Sequence, residues 1–285
     1  MSGYALIIRA GLAGLVAGSG SLSARAEPAA AFREISFESR VLQRTKTVSV
    51  VIPAHAAAKG GALPVVFLLH GRGRNHHSLL DDPRSRALLE KVGFVVVLPD
   101  GEDGWYVNSP VAPADRYGDY LEEVLALVQK KLPVSADPAR RAITGWSMGG
   151  FGAVSFAEAH PGGFGAVAPI IGLLDFPRVE DLPAGQNYKV PVARFGAEPA
   201  VWRQFNPIER VERLRGARLL VITGTEAFDH TMNRNFIARA RAAGLEPEFR
   251  ELPGGHTLDT VIVALPLVFR FFEEYFSGAA PTHNR

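Results

Sequence analysis

The sequence predicts an α/β fold in which helices cover both faces of a mostly parallel sheet. Between residues 63 and 276, short apolar runs of strand length alternate with segments of helical spacing, and that alternation is typical of parallel βαβ units. The runs at residues 63–69 and 93–99 are almost continuously apolar, as in strands that are covered on both faces. The chain has 285 residues, of which 47% are hydrophobic and 21% charged, and it shows no internal repeat or linker. This composition favours one globular domain.

The predicted elements follow one another in a regular order. Residues 32–53 alternate apolar and polar side chains, which indicates two antiparallel strands at an edge of the sheet. Further strands are predicted at residues 63–69, 93–99, 141–145, 165–171, 218–223 and 246–252, and helices at 78–91, 117–132, 149–160, 232–243 and 259–276. The proline-rich residues 172–212 are predicted to form an irregular insertion over the edge of the sheet, on the side of the pocket.

The first 26 residues have the features of a secretory signal peptide. Arg9 precedes a short stretch rich in alanine, glycine and leucine at residues 10–17, and Ala24-Arg25-Ala26 offers a small-x-small cleavage site. The apolar stretch is shorter than the roughly 20 residues that a membrane-spanning helix needs. Cleavage is therefore favoured over a membrane anchor, and the mature domain would comprise residues 27–285. We expect a secreted or periplasmic protein.

Charge and composition exclude several classes of function. Because residues 1–26 hold two basic side chains and no acidic one, their removal takes the formal charge from +2 to zero. A neutral protein has no electrostatic reason to bind nucleic acid or an anionic membrane. The chain contains no cysteine, which excludes disulfides, thiolate catalysis and cysteine–zinc sites. The adjacent residues His76 and His77 are expected to point apart and to form no metal site.

A G-x-S-x-G motif, Gly145-Trp146-Ser147-Met148-Gly149, lies where a predicted strand meets a predicted helix. A nucleophilic serine needs such a sharp turn, which raises its hydroxyl above the sheet and beside the N–H groups of the helix N-terminus. Glycines two positions before and after the serine let the neighbouring chains approach closely. Ser147 is therefore the candidate nucleophile.

Two loops after predicted strands supply further candidates for the site. His70-Gly71-Arg72-Gly73 follows residues 63–69, and the N–H groups of Arg72 and Met148 are the candidate oxyanion hole. Pro253-Gly254-Gly255-His256 follows the last predicted strand. This placement puts His256, the candidate general base, at the carboxyl edge of the sheet.

The acid that orients His256 is left open between two residues that follow the strand at 218–223. Asp229 is preferred, but it could serve instead as the N-cap of the next helix. Glu226 is the alternative, and it could equally be a solvated loop residue. Both residues fit the chain order of serine, acid and histidine.

These motifs resemble the esterase D-like family of α/β hydrolases over about residues 37–276. The most specific stretch is residues 141–153, and it is accompanied by Leu69-His70-Gly71, Pro99-Asp100-Gly101, residues 104–109 and Pro253-Gly254-Gly255-His256. The resemblance implies an α/β-hydrolase fold and a serine esterase that acts through an acyl-enzyme on Ser147, without a cofactor or metal. It also implies that Trp105 and Tyr106 border the substrate pocket, and core packing is the alternative for these two side chains.

One position departs from the family pattern. The family has Gly-Thr-x-Asp after the strand that carries the acid, whereas Gly224-Thr225-Glu226-Ala227 places an alanine in the aspartate slot. Asp229 could substitute in an extended loop, because residues two apart then point the same way. Three functions remain open: hydrolysis of a small-molecule or carbohydrate ester, acyl transfer to a sugar or lipid alcohol, and binding by a catalytically silent hydrolase fold.

Overall fold

The computed structural model describes residues 30–54 and 61–278, so the predicted signal peptide at residues 1–26 lies outside the described residues. The strands are Ala31–Ser39 (β1), Arg44–Ile52 (β2), Val65–Leu69 (β3), Val95–Pro99 (β4), Arg141–Trp146 (β5), Ala166–Ile170 (β6), Arg218–Gly224 (β7) and Glu248–Leu252 (β8). They form one eight-stranded sheet in the order β1-β2-β4-β3-β5-β6-β7-β8.

The sheet is antiparallel at one edge and parallel elsewhere. β1 pairs with β2, and β2 with β4, in antiparallel ladders. The pairs β3–β4, β3–β5, β5–β6, β6–β7 and β7–β8 are parallel. The mostly parallel sheet with an antiparallel opening pair is thus confirmed. The strand order reverses at β3, so a crevice is expected at the carboxyl ends of β3 and β5.

Helices cover both faces of the sheet, as predicted. They are Ser78–Asp81 (α1), Pro83–Leu89 (α2), Tyr117–Lys131 (α3), Met148–Ala159 (α4), Val192–Phe195 (α5), Pro199–Phe205 (α6), His230–Ala242 (α7) and Leu258–Ser277 (α8), with 3₁₀ segments at Pro138–Arg140 and Pro207–Leu214. Apolar side chains of α3, α4 and α7 belong to one core cluster, and those of α1, α2 and α8 belong to a second. Over residues 30–54 and 61–278, none of the helices has both the length and the apolar character that crossing a membrane demands.

The helix predicted at residues 78–91 is in fact two helices. Asp82 has an extended backbone, and its carboxylate accepts a hydrogen bond from the N–H of Arg84. Pro83 then begins α2. Proline disfavours the helical conformation for the residue before it and has no N–H to donate to the preceding turn. The prediction of one continuous helix was therefore wrong.

The segment between β6 and β7 is more regular than the sequence predicted. It holds α5, α6 and a 3₁₀ segment, and it leaves and re-enters the sheet between two interior strands. Phe176 and Phe195 from this segment are fully buried and pack against Trp105 and Phe151. The segment therefore adds to the core next to α4.

Glu158 on α4 is a buried carboxyl group whose ionisation opposes folding. Burial raises its pKa to about 8, although Arg210 lies 3.2 Å from Oε2 and offsets part of this rise. Within the described residues, Oε1 of Glu158 has no hydrogen-bond partner. Because the folded-state pKa of Glu158 lies above the ordinary value of 4.5, the neutral carboxyl group makes its full contribution to the stability of the fold below about pH 4.5. This contribution is lost as the pH rises through the folded-state pKa.

We expect the free energy of unfolding to decline between about pH 5 and pH 8, and Glu158→Gln to flatten this decline by up to a few kcal/mol. Urea unfolding midpoints of the two proteins across this range would measure the effect. Glu209→Gln is the matched control, because Glu209 is exposed and lies outside the buried pair. Equal declines in the Glu158 and Glu209 variants would contradict the prediction.

Candidate active site

Ser147 is a one-residue turn between β5 and α4. Its backbone has a φ of 56° and a ψ of −121°, which is strained for a residue with a side chain. The N–H of Ser147 donates to the carbonyl of Ile170 at 3.1 Å, and its own carbonyl accepts from the N–H of Phe151 at 3.0 Å. These bonds hold the strained turn in place at the carboxyl end of β5.

The glycines of the G-x-S-x-G motif make this turn possible. A Cβ on Gly149 would lie 2.1 Å from the carbonyl oxygen of Leu69, and a Cβ on Gly145 would lie 2.4 Å from the carbonyl oxygen of Gly149. Both distances are far below van der Waals contact. Only glycine therefore lets the first turn of α4 approach the ends of β3 and β5 so closely.

Three side chains meet at the carboxyl ends of β5, β7 and β8. Oγ of Ser147 is 2.8 Å from Nε2 of His256, and Nδ1 of His256 is 2.5 Å from Oδ1 of Asp229. Because a carboxylate can only accept, Nδ1 of His256 carries the proton and Nε2 is free to accept from the Ser147 hydroxyl. This arrangement can remove the serine proton while Oγ attacks a carbonyl carbon.

The carboxylate of Asp229 is fully buried and held by polar side chains. Its Oδ2 accepts from the hydroxyl of Thr223 at 3.0 Å and from the amide of Asn233 at 2.8 Å. These bonds offset the loss of hydration that burial imposes on a charge. Neither Thr223 nor Asn233 was predicted from the sequence. Asp229 was considered as the N-cap of the following helix, and its spacing of four from Asn233 was a signal that could have found the latter.

The structure distinguishes between the two acids that the sequence left open. Glu226 is exposed, and its backbone N–H donates to the carbonyl of Gly254 at 3.0 Å. Asp229 does occupy the N-cap position of α7, but its side chain makes no capping hydrogen bond there. Instead, it lies against His256.

The reason given for Asp229 from the sequence was wrong, because the loop after β7 is not extended. The N–H of Ala227 donates to the carbonyl of Gly224, and the N–H of His230 donates to the carbonyl of Ala227. Two successive turns therefore bring Asp229 back toward the sheet. Ala227, in the slot that the family fills with aspartate, is buried.

The loop after β3 lies directly against Ser147. A Cβ on Gly71 would come within 3.3 Å of Cβ of Ser147. The carbonyl of Gly71 accepts from the N–H of Arg74 at 3.2 Å, and this turn does not use the N–H of Arg72. Both N–H groups of the predicted oxyanion hole thus belong to backbone next to Ser147, one at the start of α4 and one in this turn.

The side chain of Arg72 fixes the same loop from outside. Its Nε and Nη2 each donate to the carboxylate of Asp103 at 2.9 Å, and Nη1 donates to the hydroxyl of Tyr188 at 3.3 Å. The hydrogen bonds to Asp103 raise the pKa of Arg72. Such a two-pronged pair restricts the geometry of the guanidinium group.

His70 holds the loop from inside. The N–H of Gly101 donates to Nε2 of His70 at 2.8 Å, so the proton of this imidazole lies on Nδ1. Nδ1 then donates to the carbonyl of Gly71 at 2.8 Å. His70 is buried and positions the backbone that carries Arg72.

Trp105 and Tyr106 do not border the cavity beside Ser147, which corrects the prediction for both. Each is only 1% exposed. Trp105 packs against the aromatic core of α4 and the following segment, and the hydroxyl of Tyr106 donates to the carbonyl of His70 at 3.2 Å. Core packing, the alternative for these residues, describes both. The cavity beside Ser147 has a volume of about 160 Å³ and is lined by Gly71, Arg72, Arg74, Trp146, Ser147, Ile171, His256, Thr257 and Leu258.

The sequence of this chain is similar to those of known esterases. A family model described as "Putative esterase" matches residues 39–270. An esterase of Mycobacterium tuberculosis is 28% identical over 254 residues, which cover 77% of this chain and 54% of that esterase. The chain thus spans about half the length of this relative. An acetyl esterase of Caldicellulosiruptor saccharolyticus is 21% identical over 250 residues, which cover 80% of this chain and 93% of that enzyme.

Solved structures that share the fold of this chain include a ferulic acid esterase and an S-formylglutathione hydrolase. A ferulic acid esterase superposes with a TM-score of 0.74 at 23% identity and covers 87% of this chain and 98% of its own. An S-formylglutathione hydrolase from Agrobacterium tumefaciens superposes with a TM-score of 0.72 at 21% identity. The superposition covers 86% of this chain and 95% of that hydrolase. At such identities the likeness establishes the fold alone, and it confirms the α/β-hydrolase fold.

Proposed function

Because the chain belongs to the esterase family, whose model matches residues 39–270, we propose that it is a serine hydrolase that cleaves carboxylic esters through an acyl-enzyme on Ser147. One observation carries this proposal: an unbroken chain of hydrogen bonds joins the buried carboxylate of Asp229 to His256 and then to the hydroxyl of Ser147. A serine hydroxyl becomes a useful nucleophile when an adjacent base, itself oriented by a third group, takes its proton.

The first half of the reaction forms the acyl-enzyme. Oγ of Ser147 bonds to the ester carbonyl carbon while Nε2 of His256 accepts the hydroxyl proton, and the carbonyl electron pair moves onto oxygen. The N–H groups of Met148 and Arg72 are the donors assigned to that oxyanion. When the carbonyl re-forms, the bond to the alcohol oxygen breaks and the alcohol leaves with the proton from His256. Asp229 stabilises the transient imidazolium.

The second half releases the acid. Water attacks the acyl carbon, and His256 takes a proton from it. The tetrahedral intermediate then collapses, and Oγ of Ser147 leaves with that proton. A catalytically silent fold was considered because an alanine stands at position 227, where the family has its acid. The contact between Asp229 and His256 speaks against that alternative, since it supplies an acid from another position.

We further propose a small-molecule or carbohydrate ester as the substrate and no nucleic-acid partner. The relatives named acetyl esterase and ferulic acid esterase make acetyl and feruloyl esters the first compounds to test. We also propose export after cleavage of residues 1–26, on the strength of the sequence features alone.

The proposed function is tested by labelling the purified protein with a fluorophosphonate probe and by assaying p-nitrophenyl, feruloyl and sugar-acetate esters. We expect covalent labelling at Ser147, located by peptide mass spectrometry, together with turnover of at least one ester class. A folded protein that neither labels nor turns over any ester would refute the proposal. Assays with added alcohols would separate hydrolysis from acyl transfer, because a transferase forms mainly the new ester.

A further inference from the structure

Three side chains that the proposed reaction does not use meet at the end of the loop at residues 70–77, which we call the oxyanion loop because it carries Arg72. They are Glu34 on β1 and the adjacent residues His76 and His77. One potential ligand atom from each lies within 4.8 Å of the other two. The ring centroids of the two histidines are 4.2 Å apart. The expectation that these adjacent side chains point apart was therefore wrong, because the chain turns here before α1 begins.

The β1–β2 hairpin completes the cluster. Glu34 lies directly opposite Ser49 in the antiparallel ladder, so the two side chains project from the same face. Oγ of Ser49 is 2.8 Å from Nδ1 of His76, and the carboxylate of Glu34 contacts Nε2 of His77. Two neighbouring residues of the oxyanion loop thus meet two paired residues of the hairpin.

One ring nitrogen of His76 is already hydrogen-bonded, and the other is open to a ligand. Ser49 engages Nδ1 of His76 and leaves Nε2 available, which is the usual way in which an outer hydrogen bond orients a metal-binding histidine. Metal ions bind the neutral imidazole.

We propose that Glu34, His76 and His77 bind one divalent transition-metal ion of the zinc type and thereby fasten the oxyanion loop to β1. Two imidazoles and a carboxylate are ligands that Zn²⁺ prefers. Glu34 and His77 are 52% and 39% exposed, so water can complete the coordination. The cation would take the place of the proton between Glu34 and His77, and that proton passes to solvent.

Zinc titration of the untagged, chelator-treated full chain by isothermal calorimetry at about pH 7.5 tests the proposal, since histidine is largely neutral there. We expect about one equivalent of Zn²⁺ to bind, and Mg²⁺ not to bind, because Mg²⁺ prefers oxygen ligands. His77→Ala and Glu34→Gln should each weaken zinc binding by at least about tenfold. His160→Ala is the matched control, because His160 also pairs with a glutamate, Glu122 at 3.0 Å, but lies outside the cluster.

Thermal unfolding supplies a second measurement that does not depend on turnover. Zinc at about a hundredfold excess over its Kd should raise the Tm of the wild type by roughly 5 °C, and should raise that of Glu34→Gln much less. Glu34 is exposed on an edge strand, so this variant is expected to fold. No saturable binding, or unchanged affinity in both cluster variants, would overturn the proposal. Loss of binding only in His256→Ala would also overturn it, because the cation would then sit at the triad.

Discussion

Replacing Ser147 with alanine is expected to lower kcat for p-nitrophenyl acetate by about 10⁴- to 10⁶-fold. The variant loses the oxygen that forms the acyl-enzyme, and His256 loses the hydroxyl that lies 2.8 Å from Nε2. The cavity and the N–H groups proposed to stabilise the oxyanion remain, and in well-studied serine hydrolases such groups sustain only a weak residual reaction. Initial rates at saturating ester, together with fluorophosphonate labelling, would measure the loss.

Ser155→Ala is the matched control for this loss. Ser155 lies on the same helix, α4, and is buried, and its hydroxyl has no hydrogen-bond partner among the residues that the structure describes. Its removal breaks no hydrogen bond, so activity should stay within about twofold and Tm should change little. Wild-type activity in a folded Ser147→Ala protein would exclude Ser147 as the nucleophile.

Replacing Asp229 with asparagine is expected to lower kcat by on the order of 10⁴-fold. An amide has nearly the same shape as a carboxylate, but its nitrogen can donate to Nδ1 of His256. That bond favours the tautomer in which Nε2 carries the proton, and Nε2 then cannot accept the proton of Ser147. The pH–rate profile and the urea midpoint would separate this loss from a loss of stability.

Glu226→Gln answers the question that the sequence left open. Glu226 is exposed, and Nδ1 of His256 is bonded to Asp229 instead. Its replacement should leave kcat within about twofold, as surface substitutions away from a site do. A larger loss in Glu226→Gln than in Asp229→Asn would reverse the assignment of the acid.

The position of Ser147 at a strand-to-helix turn was predictable because its environment is local. The strand, the sharp turn and the helix that place its hydroxyl are consecutive in the chain, and close approach at positions 145 and 149 requires glycine whatever surrounds them. His256 was also predictable, since loops after parallel strands of one sheet meet at the same edge. The spacing of apolar residues and the apolar runs of strand length likewise predicted the α/β fold and the antiparallel opening pair.

The remaining features depend on contacts between distant parts of the chain. Two turns after β7 decide that Asp229 rather than Glu226 reaches His256. Packing against residues of α4 and the following segment decides that Trp105 belongs to the core.

The sequence by itself thus determined the strands, the longer helices between them, the turn at Ser147 and the loop that carries His256, because hydrophobic period, glycine spacing and strand ends are local properties of the chain. Only the tertiary structure decided which acid is buried beside His256, and that Trp105 and Tyr106 lie in the core rather than at the cavity. It also decided that His76 and His77 lie beside Glu34. Side-chain direction in turns, and burial against residues far away in sequence, are set by packing, which no local pattern encodes.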